Sequence, residues 1–194
     1  RSQEILCLLE AHHFDHPVFV DGIALKANRI LADHPESLRD PDLFSRAIRR
    51  AEWIHQWNDR RRATKTPCVI VSPAGMLKGG ASVFYMESVA QASKNAIILV
   101  SYQVEGSPGR VLIEEGRYML HGKLQKVDAK VMKFDFSSHG GRSELLRCLE
   151  SVDKKTKIFA IHGEEDSCAI LADWADKQAG LKSFVPKAGE TYDV

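Results

Sequence analysis

Apolar positions along the chain fall into two patterns, short unbroken runs and runs spaced at helical period, and their order predicts a repeat of strand, loop and helix. Residues 2–10, SQEILCLLE, place apolar side chains at 5, 6, 8 and 9 and predict a short helix. Residues 18–20 predict a strand with Pro17 at its start. A helix follows from Ile23 to about Ala32, ended by His34-Pro35, then a charged loop over 36–44. Phe44, Ile48, Ala51, Trp53, Ile54 and Trp57 recur at helical spacing and predict one helix from about Asp42 to Asn58. Residues 67–72 and 95–101 are unalternating apolar runs, the pattern of parallel strands buried on both faces. Each is followed by a Gly-containing loop (73–80, 102–110) and a helix (82–91, 110–115).

From 117 to 135 the pattern changes to alternation, which predicts antiparallel strands and a hairpin. A subdomain boundary is therefore placed near 117. A helix over 142–151, a strand over 158–161, a helix over 166–179 and a strand over 183–185 complete the chain. The fold class expected is α/β, doubly wound and mainly parallel, with ligand-binding loops beyond the carboxyl ends of the strands.

His139 and His162 draw attention because each stands where an apolar run stops and a Gly-containing turn begins. If the strands before them are parallel neighbours, roughly 4.8 Å apart, a right-handed crossover brings both histidines to one sheet edge. Two imidazoles there suit a metal ion or a phosphate, but zinc needs at least three protein ligands. Gly106-Ser107-Pro108-Gly109-Arg110 offers backbone N–H groups, a hydroxyl and a guanidinium near a helix start, a set that suits an anion. Arg60, Arg61 and Arg62 fit either a solvated helix end or a phosphate patch. His12-His13-Phe14-Asp15-His16 lacks the first histidine of an H-x-H-x-D-H metal motif, since Ala11 holds that place. It follows a helix rather than a strand, so it is expected to be a polar connection.

Composition changes this picture little. The 194 residues are 44% hydrophobic and 27% charged, with a formal net charge of +1, so any nucleic-acid contact must come from a local patch. The four cysteines include no C-x-x-C pair and are expected to be buried free thiols of a reducing compartment. No apolar run approaches the ~20 residues of a membrane span, and no signal peptide is visible. The start at Arg1, without methionine and in what reads as a helix, predicts a fragment or a processed chain.

Five motifs in order, VIVSPAGMLKGG (69–80), YQVEGSPGR (102–110), FSSH (136–139), IHGEE (161–165) and a GETY tail, resemble the β-CASP branch of the metallo-β-lactamase superfamily. That branch includes the cleavage and polyadenylation specificity factor nucleases and ribonuclease J. The resemblance implies a β-CASP domain over 1–116 and a C-terminal return into the lactamase fold over 117–194, with RNA entering between the two domains. It implies a catalytic acid or charge stabiliser at His139 and a zinc ligand at His162. It also implies RNA-facing residues at Ser107, Gly109, Arg110 and Ser138. The whole enzyme is expected to be a two-zinc ribonuclease acting on single-stranded RNA, cytoplasmic (nuclear in a eukaryote), without a membrane partner and with a homodimer left open. The remaining zinc ligands are expected upstream of Arg1, so the chain alone is expected to be inactive. Ser101 and Pro108 depart from the Gly and Leu usual in the family, which puts local loop shape in question. The competing expectations are a non-catalytic RNA-binding or scaffold paralogue, and a free-standing nucleotide-binding module.

Overall fold

The computed structural model describes residues 1–134, 136 and 140–193. The chain forms two compact units, residues 1–137 and 138–194. Both are α/β, and among the described residues the strand pairs are parallel except for one hairpin.

In the first unit, β1 (Val18–Val20) lies between β2 (Glu52–Trp53) and β3 (Val69–Val71), all parallel. Helix α1 (Ser2–Ala11) and α3 (Pro41–Arg50) pack together, and α2 (Ala24–Asp33) joins them. Leu6, Val18, Val20, Ala47, Ala51 and Val71 form the buried cluster on that face. On the other face Phe19, Ile54, Ala63 and Tyr85 pack together, which brings in α4 (Trp57–Ala63) and α5 (Ala81–Val89). Strand β4 (Ala96–Leu99) pairs in parallel with β7 (Lys130–Lys133), and α6 (Pro108–Glu115) leads through left-handed Gly116 into the hairpin of β5 (Arg117–Leu120) and β6 (Lys123–Lys126). Leu77, Met86, Ile97, Leu99, Leu112, Tyr118 and Leu120 form their common core.

Four elements differ from expectation. The helix expected over 42–58 breaks at Ala51, whose backbone is extended, and Glu52-Trp53 becomes β2. The parallel ladder to β1, completed by Ile54 N–H donating to Val20 O at 3.0 Å, outweighs the helical spacing. A new helix starts at once, because the Asp59 carboxylate accepts the N–H groups of His55 (3.1 Å) and Gln56 (3.2 Å). That spacing is a capping signal legible in Gln56-Trp57-Asn58-Asp59. The loop expected over 36–44 is shorter, a 3-10 turn at Pro35–Ser37, because Asp40 caps α3 by accepting from Leu43 N–H at 2.9 Å. The run at 95–101 is not buried on both faces: Ile97 and Leu99 face the core while Ile98 is 52% exposed. Only the β5–β6 part of 117–135 is antiparallel; β7 instead extends the β4 ladder, with Ile97 opposite Val131. Thus the sequence break at 117 lies inside the first compact unit.

In the second unit, α7 (Arg142–Ser151), β8 (Lys157–Phe159), α8 (Glu165–Lys177) and β9 (Lys182–Phe184) follow in the expected order, and β8 pairs in parallel with β9. Leu149, Ala175, Ala179 and Leu181 are its core. Phe159 stacks on Phe184 with ring centroids 5.1 Å apart, and Tyr192 of the tail closes on both rings.

At the carboxyl end of the central strand β1, Asp21 is 2% exposed. Arg60 donates to it twice (Nε to Oδ2 at 2.7 Å, a terminal nitrogen to Oδ1 at 3.1 Å), Tyr85 O–H donates to Oδ2 at 2.7 Å, and Gly22 N–H donates to Oδ1. Burial pushes the Asp21 carboxyl up, but these donors outweigh it and hold the group below its usual range. Burial and the neighbouring carboxylate push the Tyr85 phenol well up. Two of the three arginines are therefore engaged: Arg60 holds Asp21, and Arg62 pairs with Glu52 and lies over the Phe19 ring. Replacing Arg60 by Ala leaves a buried carboxylate without its cation, so denaturation is expected to show a loss of about 3–5 kcal/mol. Because the folded Asp21 is more acidic than the unfolded one, its contribution is complete above the ordinary carboxylate range near pH ~4 and fades as pH falls through the folded value. Asp21→Asn should remove that part of the acid sensitivity, measured as urea midpoints across pH.

Candidate functional site

The loops after β3 and β4 meet at the carboxyl ends of their strands, and one side chain ties them. Gln103 is 1% exposed, and its Nε2 donates to Gly75 O (2.9 Å), Ser101 O (3.0 Å) and Ser101 Oγ (3.2 Å). Gly109 N–H donates across to Met76 O at 3.0 Å, and Tyr118 O–H donates to Leu77 O at 3.0 Å. Ser82 Oγ fixes the far end of the first loop on Gly79 O and Ala74 O. Ala74 and Leu77 are held in left-handed backbone, φ 70° and 58°, a conformation that costs a non-glycine residue on the order of 1 kcal/mol. The crossing bonds stabilise that shape. The approach is close enough that a Cβ on Gly109 would overlap Gln103 Oε1, and one on Gly75 would overlap Ser101 Oγ. Gln103 Oε1 is buried against Gly109 with no hydrogen-bond donor among the described residues.

Three of the sequence-predicted residues sit at the start of α6. Ser107 is fully buried and its Oγ accepts from Arg110 N–H at 3.3 Å, so its hydroxyl caps the helix. Pro108 occupies the first helical position, where a missing N–H costs nothing. Gly109 provides the close approach to Gln103 and spends its N–H on Met76. Arg110 alone of the three presents a side chain outward, and its Nε donates to Glu114 at 2.6 Å, one turn along the helix. A surface pair of this kind contributes only ~0.3–0.5 kcal/mol, so the guanidinium can exchange the carboxylate for a phosphate at small cost.

His162 belongs to the second unit. It follows β8 and Ala160, whose N–H donates to Phe184 O at 2.9 Å. Its imidazole is exposed and its backbone is left-handed, φ 67°. The next residue, Gly163, runs close beside Cys168 Sγ. His139 and Ser138 lie outside the described residues. Strand β7, which precedes the segment leading to His139, pairs with β4, and β8, which precedes His162, pairs with β9. No three His, Cys, Asp or Glu side chains are gathered for a metal ion among the described residues, so His162 by itself does not make a zinc centre. His12 caps the end of α1 and His13 turns the chain toward β1, the polar connection expected of HHFDH. The cysteines are free thiols; Cys168 is buried, but Cys148 is exposed, contrary to expectation. Burial pushes the Cys7 and Cys68 thiols up. No helix among the described residues is long and apolar enough to cross a membrane.

Sequence reasoning passed over Asp21, Gln103 and Tyr118 as site-building residues. The signal for Gln103 was an amide following an apolar strand at the inward-facing parity of Ile97 and Leu99.

Two family descriptions match in chain order. The Beta-Casp domain covers residues 2–112, and the Zn-dependent metallo-hydrolase RNA specificity domain covers residues 125–186. The chain is 40% identical over 190 residues to RNase aCSPSF2 of Saccharolobus solfataricus, covering 98% of this chain and 38% of that protein. It is 32% identical over 194 residues to the probable RNase MJ4 of Methanocaldococcus jannaschii, covering 98% of this chain and 45% of that protein. It is 31% identical over 212 residues to the transcription termination factor FttA of the same organism, covering 96% of this chain and 33% of that protein. The chain thus spans between a third and a half of the length of these relatives.

The Gln103–Gly109 contact makes a direct prediction. Gly109→Ala should force the loops apart, cost about 1–3 kcal/mol in thermal or chemical unfolding, and expose the backbone hydrogen bond from position 109 to Met76 to amide exchange. If the amide at that position exchanged as slowly in the variant as in the wild type, the two loops would not be closely packed there.

Proposed function

Because the chain belongs to the β-CASP family of metallo-β-lactamase nucleases, we propose that it forms part of a zinc-dependent ribonuclease that hydrolyses RNA phosphodiester bonds during RNA processing or decay. His162 carries this reading: an exposed imidazole on left-handed backbone at a strand exit, inside the segment that matches the metallo-hydrolase RNA specificity domain. A non-glycine residue in that backbone conformation carries local strain, a feature that clusters at functional sites.

In this reading residues 1–116 are the β-CASP part and 117–194 return to the lactamase fold. His162 supplies one zinc ligand through a neutral imidazole nitrogen, and the remaining ligands come from the rest of the protein. Zinc, when bound, supplies Lewis-acid activation of the phosphodiester. His139 donates a proton to the leaving oxygen or stabilises charge at the phosphate. Arg110 contacts an RNA phosphate, and Ser107 and Gly109 serve the RNA-binding loop through its shape. Ser138 adds a hydroxyl beside His139.

Metal analysis and RNA cleavage by the full-length protein test the division of roles. His162→Ala should lose zinc together with activity. His139→Ala should keep most of its zinc while cleavage falls about 10²- to 10⁴-fold. Wild-type zinc content in His162→Ala would remove the metal role. The 194-residue chain given zinc should not cleave RNA, and robust metal-dependent cleavage by it would overturn the claim that ligands come from elsewhere. A full-length protein that binds RNA without zinc or cleavage would be the non-catalytic paralogue instead. Arg110→Ala should weaken RNA binding across sequences and lower the salt dependence of affinity by about one phosphate contact.

A further inference from the structure

Burial alternates along β4 and again over residues 102–104, past its last ladder residue. Ile97, Leu99 and Gln103 point inward and are 8%, 3% and 1% exposed, whereas Ile98, Tyr102 and Val104 point outward. Tyr102 is 67% exposed, next to a residue whose side chain is anchored by three hydrogen bonds. The backbone beside the ring is therefore anchored through Gln103, and the ring itself is exposed. A large, two-torsion aromatic on a preorganised loop binds a planar group with little ordering cost.

The same loop is divided in charge. Its far end carries the outward Arg110 guanidinium, while the stretch next to Tyr102 carries Val104 and the exposed carboxylate of Glu105. A phosphate is favoured at the Arg110 end, where it would displace the Glu114 carboxylate from the guanidinium, and repelled beside Glu105. An aromatic or apolar ligand surface is favoured at Tyr102. A single-stranded nucleic acid meets both demands, since it alternates charged phosphates with bases whose faces are free to stack. A duplex offers the phosphates but keeps its bases stacked within the helix.

We propose that Tyr102 is a base-stacking residue for single-stranded RNA, sequence-tolerant because every base has a π-face. The assignment rests on the RNA-processing reading above. It adds a binding contact from the residue beside Gln103, and it gives the Gln103–Gly109 contact a purpose, which is to hold the ring in place.

The test uses the full-length protein in chelator, so that nothing is cleaved, and fluorescence anisotropy with three probes: a short single-stranded RNA, the same length of abasic ribose-phosphate backbone, and an RNA duplex. Tyr102→Ala is expected to bind the single strand about 5- to 100-fold more weakly, and Tyr102→Phe to stay within about twofold of wild type. Both variants should bind the abasic backbone and the duplex as wild type does. Unchanged affinity of Tyr102→Ala for the single strand, with wild-type binding intact, overturns the stacking role and leaves the RNA reading standing. Equal loss on all three probes, with a lowered melting temperature, overturns it in favour of a ring packed against another part of the protein. A wild-type protein that binds none of the probes defeats both this assignment and the RNA reading on which it rests.

Discussion

A carboxylate with almost no access to water stays ionised only where its oxygens are answered by donors, and Asp21 is answered from three elements. Its own strand supplies the backbone position and the turn at Gly22, α4 supplies the Arg60 fork, and α5 supplies the Tyr85 hydroxyl. The cost of burying the charge obliges these elements to keep their places. Asp21 N–H also donates to Val71 O, which holds the end of β1 to β3. Pro73, in the loop after β3, lies close against Gly22. The loops that carry the functional proposal therefore stand on a charge-assisted junction rather than on apolar contact alone.

Above that junction the loops are shaped by bonds that cross between them. Gln103, Gly109 and Tyr118 together hold Gly75, Met76 and Leu77. Two residues in left-handed backbone, Ala74 and Leu77, persist because the surrounding bonds over-determine them. The result is a rigid platform in which buried polar groups fix the backbone and only a few side chains, Tyr102 and Arg110 among them, face outward. Family motifs in this loop are then of two kinds. Ser107 and Gly109 build the shape, and Arg110 is left to touch a ligand.

Much of the fold was legible because its signals are local. The strand at 18–20, the helix at 24–33 and the alternating hairpin 117–126 each depend on residues within a few positions of one another. The helix expected across 42–58 failed for the opposite reason. Ala51, Ile54 and Trp57 keep helical spacing, but pairing Glu52-Trp53 with Phe19-Val20 sends Ala51 and Ile54 to opposite faces of the sheet. The run 95–101 looked buried on both faces because it is uniformly apolar, yet Ile98 faces out, since a run of Ile and Leu carries no mark of which face the core takes.

By itself the sequence determined most of the order of elements, the α/β class and the family motifs, because helix periodicity, caps and turn chemistry are properties of short stretches. Tertiary structure alone decided that Arg60 serves Asp21, that β7 joins β4, and that Gln103 spans two loops. Those choices depend on which strands and loops lie side by side, and a buried charge or amide takes whichever partner the chain's return brings within reach. His139 and His162 shared a local pattern, a histidine after an apolar run, while the strands before them have different partners, β4 and β9. The sequence pattern is local to each histidine; strand pairing is a long-range choice and determined which neighbour each strand has.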